Sequence, residues 1–149
     1  MIQHRIRAAA VVWNDNGHLL VVRHARRGER FWALPGGASK IGESLEETVR
    51  REVGEETGYA IDVGDVAAVF EVGSSRWEPR RLEVCLCGTI RSADPSLLLG
   101  GDGIVDVEWI DPQDKSQEFL PSALLSRLTP HSRGLYLGNI TDIEHPVRK

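Results

Sequence analysis

Read for its alternation of apolar and polar positions, the chain falls into strands on either side of one long helix. Arg5 to Trp13 alternates loosely and then runs apolar through Ala8-Ala9-Ala10-Val11-Val12-Trp13. Asn14-Asp15-Asn16-Gly17 is a strong hairpin signal, so Leu19 to His24 is expected to return as a second strand. Arg26 to Arg30 reads as a charged loop. Phe31 to Leu34 is short and extended, and Pro35-Gly36-Gly37 closes it. Further on, Val63 to Val72 reads as a strand broken by Gly64, Leu82 to Ile90 alternates well, and Ile104 to Ile110 is a last clear strand. Arg91 to Gly103 reads as loop. Pro121 sits where it would open a short helix through Leu128. Residues 129–149 have little pattern, apart from Leu135-Tyr136-Leu137, which suits a short strand or packing back onto the body.

The strongest helical signal lies at the centre. Ser44 followed by Glu47 makes a capping box, and Gly58 is placed to stop the helix with a left-handed residue, so the helix is expected over Leu45–Thr57. Leu45, Val49 and Val53 mark its apolar stripe. Glu52 and Glu56 fall on or beside that stripe, with Glu55 on its flank. Three like charges at such spacing repel, and burial makes this worse. A divalent cation among them removes the conflict, and hard carboxylate oxygens suit Mg²⁺ or Mn²⁺. A solvated glutamate face is the plainer alternative, but such a face would not share the apolar side.

Residues 37–59 resemble the Nudix box: a glycine, five residues, a glutamate, seven residues, then Arg-Glu-apolar-x-Glu-Glu-x-Gly-apolar. Gly37, Glu43, Arg51, Glu52, Val53, Glu55, Glu56 and Gly58 stand at the required positions, and Tyr59 is aromatic where an aliphatic is usual. The resemblance implies an α/β fold of α+β type, an α/β/α sandwich with a mixed β-sheet and a loop-helix-loop catalytic motif. It also implies hydrolysis of a nucleoside diphosphate linked to a further moiety. On this chain Glu52, Glu55 and Glu56 would be the metal carboxylates and the Gly37 carbonyl a further ligand. Glu52 or Glu55 is the candidate general base. Arg51 would orient a glutamate, and Glu43 would support it. The implied cofactor is Mg²⁺ or Mn²⁺, which would neutralise the diphosphate and activate water.

Composition narrows this picture. A length of 149 residues suits one domain, with 129–149 as an unassigned tail that is a candidate homodimer contact. The net charge of −4 argues against a binder of polymeric nucleic acid, yet leaves a small nucleotide open, since metal can supply the local positive field. No apolar run reaches membrane-spanning length, and Met1 to Arg5 lacks a signal-peptide core. Cys85 and Cys87 make no disulfide framework. The expected location is the cytoplasm.

Outside the box, Arg23 is a candidate for substrate phosphates, against an ordinary strand-end arginine. Phe31 and Trp32 are rings of the kind that stack on a base, against core packing beneath the box loop. Asp102 is a candidate extra ligand or base, because family members often carry an acid before the last strand; a turn aspartate is the plainer account. Arg76, Arg80 and Arg81 flank a loop that would form a substrate lip or simply be solvated. Neither the proline associated with ADP-ribose hydrolases nor the tyrosine of dinucleotide hydrolases falls at its usual distance past the box. A nucleoside triphosphate, a nucleotide sugar or ADP-ribose remains. The competing functional reading is a catalytically silent Nudix module that senses nucleotides.

Overall fold

The computed structural model describes residues 5–26, 28–73, 80–99, 103–114, 119, 121 and 123–140. Strand β1 (Arg5–Val12) explains the apolar run near the start of the chain. It pairs with β4 (Gly36–Ala38) on one side and, in parallel, with β6 (Arg81–Ala93) on the other. Being internal, it is buried on both faces, so both phases of its alternation must be apolar. Ala8, Ala10 and Val12 face the helix-side core with Leu20, Val49, Val53 and Ile61. Ala9 and Val11 face a second core with Val21, Trp32, Leu34, Phe70 and Phe119.

The sheet order is β4-β1-β6-β5-β8, with β5 at Tyr59–Val72 and β8 at Leu135–Asn139. Because β1–β6 and β5–β8 are parallel and the other pairs antiparallel, this sheet is mixed, as expected. A separate antiparallel sheet orders β3 (Glu29–Ala33), β2 (Leu19–Arg26) and β7 (Ile104–Ile110). Helix α1 (Leu45–Thr57) lies on the first sheet through Val49 and Val53, both fully buried. Ser44 and Glu47 form the capping box, and Gly58 ends the helix at φ 76°.

Several elements depart from the sequence reading. The strand β3 begins at Glu29, inside the stretch read as a charged loop. The glycine turn contains β4, in which a Cβ on Gly36 would stand 2.3 Å from the Ala8 carbonyl oxygen. Strand β5 is not broken at Gly64; register shifts along its pairing with β6 absorb the irregularity. The loop expected from Arg91 is strand as far as Ala93 and then a 3₁₀ turn at Pro95–Leu97. The helix expected from Pro121 to Leu128 is also a 3₁₀ turn, Leu125–Arg127. That segment has no side-chain cap, and Leu124, Leu125 and Leu128 all turn inward within five residues. They cover the second face of the large sheet together with the small sheet, where a second helix was expected. Among the described residues no helix is long and apolar enough to cross a membrane.

Candidate active site

The site begins with the turn of chain between β4 and α1. The carboxylate of Glu43 accepts the Lys40 N–H at 2.8 Å and the Thr48 hydroxyl at 3.1 Å, which folds the loop back onto the first turn of the helix. Thr48 is fully buried and also donates to Ser39 or Ser44 at 2.7 and 2.9 Å. Arg51 then reaches back from the second turn. Its Nε and Nη2 donate to the two Glu43 oxygens at 2.6 and 3.0 Å, and its Nη2 also meets the Ala38 carbonyl at 3.2 Å. These contacts hold the Glu43 carboxyl down at about 2, the hydrogen bond from Arg51 being the main cause.

The remaining nitrogen of that guanidinium serves the acids. Arg51 Nη1 donates to Glu52 Oε1 at 2.8 Å and to Glu55 Oε2 at 3.2 Å. Glu56 points the other way, into the protein. Only 7% exposed, it accepts the Gly36 N–H at 3.0 Å. Burial pushes its carboxyl up to about 8, against the Gly36 hydrogen bond and the charge of Arg7, and with a further push from Glu52. Gly37 lies against Glu52 so closely that a Cβ there would stand 2.6 Å from Glu52 Cδ. A side chain at this position would displace an acid fifteen positions away.

The structure thus brings Gly37, Glu43, Arg51, Glu52, Glu55 and Glu56 into one cluster. Among the described residues, however, no three acidic, histidine or cysteine side chains already surround a single point suited to a metal ion. The donors fit a hard cation in kind: three carboxylates, one of them buried, beside the Gly37 backbone.

Arg23 and Trp32 lie on the small sheet, directly opposite each other in the β2–β3 pair. The guanidinium carbon of Arg23 is 5.5 Å from the centre of the Trp32 ring, and its Nε is buried without a hydrogen-bond partner. Trp32 itself is 5% exposed and belongs to the core, which favours the packing account of that ring. Phe31 instead stacks on His24, with ring centres 5.1 Å apart. Asp102 and Arg76 lie outside the described residues. Arg80 and Arg81 bind acids of the sheet, Glu71 at 3.6 Å and Glu83 at 3.5 Å.

Three residues near the site were not singled out in the sequence. Asp106 sits opposite Arg23 in the β2–β7 pair. It lines a cleft of about 350 Å³ with Glu55, Glu56, Leu98, Ile104, Val105 and Val107. Arg7 and Glu83 form an ion pair behind the glycine turn. Their signal was available: each is a charge on the phase of a strand whose neighbours, Ala9 and Cys85, face the core.

The model of the NUDIX domain matches residues 3–127 of the chain. A relative from Xenopus laevis, nucleoside diphosphate-linked moiety X motif 6, is 47% identical over 139 residues, covering 90% of this chain and 64% of its own. A MutT-like protein of Streptomyces ambofaciens is 40% identical over 68 residues, 46% of this chain and 43% of its own. The chain therefore spans less than two thirds of either relative. Among solved structures, a NUDIX hydrolase from Nitrosomonas europaea superposes with a TM-score of 0.71 at 23% identity, covering 84% of this chain and 87% of that one. A MutT NUDIX hydrolase from Burkholderia pseudomallei gives 0.71 at 21% identity, covering 85% and 99%. At those identities the superpositions bear on the fold, which matches. With the domain model covering most of its length and the box complete, the chain belongs to the NUDIX family.

Proposed function

We propose that the chain is a metal-dependent pyrophosphohydrolase that cleaves a diphosphate linkage in a nucleoside diphosphate derivative. The observation that carries this reading is Glu56, a buried acid held by Gly36 beside Glu52 and Gly37, in a place where an uncompensated carboxylate is costly. Glu52, Glu55, Glu56 and the Gly37 carbonyl would hold Mg²⁺ or Mn²⁺. The bound ion would neutralise the diphosphate and lower the pKa of an attacking water. To hold the ion, Glu52 or Glu55 would give up its contact with Arg51, and Arg51 would keep Glu43. Glu52 or Glu55 would serve as general base and Arg23 would take substrate phosphate, with Asp106 lining the cleft and Asp102 a candidate further ligand or base. Trp32 supports Arg23 from beneath.

Names among the relatives are consistent with this chemistry. An ADP-ribose pyrophosphatase of Methanocaldococcus jannaschii is 38% identical over 60 residues, 40% of this chain. The substrate in this reading is a nucleoside triphosphate, a nucleotide sugar or ADP-ribose. A cytoplasmic location belongs to the same reading, supported by the free thiols of Cys85 and Cys87.

Arg51's hold on Glu52 and Glu55 favours a second reading, a module that binds nucleotide without turnover. A product-release screen over triphosphates, nucleotide sugars and ADP-ribose, with Mg²⁺ and Mn²⁺, separates the two. Release of phosphate, pyrophosphate or a nucleoside monophosphate from one class supports the hydrolase. Tight binding with no product from any class supports the module.

A further inference from the structure

Arg7 and Glu83 stand opposite each other in the parallel β1–β6 ladder, and their side chains meet in an ion pair. Glu83 is 2% exposed, and its other oxygen faces Arg81 at 3.5 Å. Its strand neighbour on the same face, Cys85, is completely buried. Replacing a buried ion pair by an apolar pair of similar volume is often neutral or stabilising, so the pair is weak evidence of a purely stabilising role.

The far side of Arg7 points to another role. Its Nη2 donates to the Leu34 carbonyl at 2.8 Å. Leu34 is the residue before Pro35, whose own carbonyl accepts the Ala10 N–H at 2.9 Å. Gly36 follows, donating to Glu56, and then Gly37, pressed against Glu52. The four residues that lead into the candidate metal site are thus tied down one after another. At Leu34 the tie is a charged side chain, and that side chain is itself fixed by Glu83. The charge of Arg7 also acts on Glu56, opposing the effect of burial.

We infer that Arg7, held by Glu83, is a positioning residue that sets the Gly36–Gly37 strand against Glu52 and Glu56, and so governs how firmly these oxygens take a divalent cation. This rests on the metal-dependent reading of the site. Residues that orient metal ligands from behind typically alter affinity by about 10- to 100-fold.

The test is Mn²⁺ binding, read from the electron paramagnetic resonance signal of free Mn²⁺, with no turnover required. The wild-type chain is compared with Arg7→Met, Arg7→Lys, Glu83→Gln and the double variant Arg7→Met/Glu83→Gln, each checked for folding by circular dichroism. Arg7→Met and Glu83→Gln should each weaken Mn²⁺ binding by about tenfold or more. Arg7→Lys should recover part of the loss, and the double variant should bind no worse than Arg7→Met. The nucleotide KM at saturating metal should not move. Folded variants with wild-type Mn²⁺ affinity and only a lowered Tm overturn the inference. If Arg7→Met does not fold, wild-type affinity in both Arg7→Lys and Glu83→Gln overturns it equally. Absence of a Mn²⁺ site in the wild-type chain overturns the metal-dependent reading itself, and this inference with it.

Discussion

Both oxygens of Glu43 are taken by one guanidinium, that of Arg51, at 2.6 and 3.0 Å. This fork closes the loop between β4 and α1 and leaves Arg51 Nη1 for Glu52 and Glu55. Its dependence on pH has a definite sign. The Glu43 carboxyl lies at about 2 in the folded chain, below its ordinary 4.5. Its contribution to stability is therefore complete above about pH 4.5 and is lost as pH falls toward about 2. Urea midpoints of the wild-type chain and Glu43→Gln should differ by a constant amount from pH 7 to pH 5, and converge below that. A difference that does not change with pH would contradict the pairing.

The two neighbouring glycines should fail in different ways. A Cβ on Gly36 meets the backbone of Ala8 and Ala9 at 2.3 and 2.6 Å, and the sheet cannot easily yield. Gly36→Ala should cost about 1–3 kcal/mol of stability or more, the scale of overpacking. A Cβ on Gly37 meets the Glu52 side chain, which can swing aside. Gly37→Ala should therefore keep most of its stability and lose most of its turnover. Thermal melts set beside rates for both variants check this, and equal loss of stability would count against it.

Arg23 and Trp32 touch, yet are expected to play different parts. Arg23→Ala should raise the nucleotide KM by roughly tenfold with little change in kcat, as when one charge-assisted hydrogen bond to substrate is lost. Trp32→Ala should act on the fold, at about 3–5 kcal/mol, because the ring is core. Steady-state kinetics for the first and denaturant unfolding for the second separate these roles. An Arg23→Ala variant with unchanged KM would remove Arg23 from the substrate site.

Metal should be visible without catalysis. A ligand that binds only the folded chain raises stability by mass action. Mg²⁺ or Mn²⁺ should raise the Tm of the wild-type chain, chelator should reverse the rise, and Glu52→Gln should lose most of it. An equal rise in Glu52→Gln would place the ion elsewhere.

What could be read from the sequence was local. The helix Leu45–Thr57 was legible because its cap, stripe and stop lie within fifteen residues, and the acids on the wrong face announced themselves. Strand β4 was not legible, since three residues carry no period and its glycines answer to Ala8 and Glu52. The Pro121 segment carried one helical signal, a proline in first position, but three leucines drawing on the core outweighed it. Arg7 and Glu83 are 76 positions apart. Each alone looked like a stray charge in a strand, and only the parallel pairing of β1 with β6 joins them. Asp106 was not legible, because its opposition to Arg23 comes from a strand pairing that sequence spacing does not reveal.

The most direct test of the account is turnover by Glu56→Gln, measured on the best nucleotide substrate of the wild-type chain at saturating Mg²⁺. Glutamine keeps the shape of the side chain and its bond from Gly36 but removes the carboxylate. The account predicts a folded protein with kcat reduced by about 10²–10⁴-fold or more, the scale of losing a positioned catalytic group. Retained turnover in that variant would contradict it.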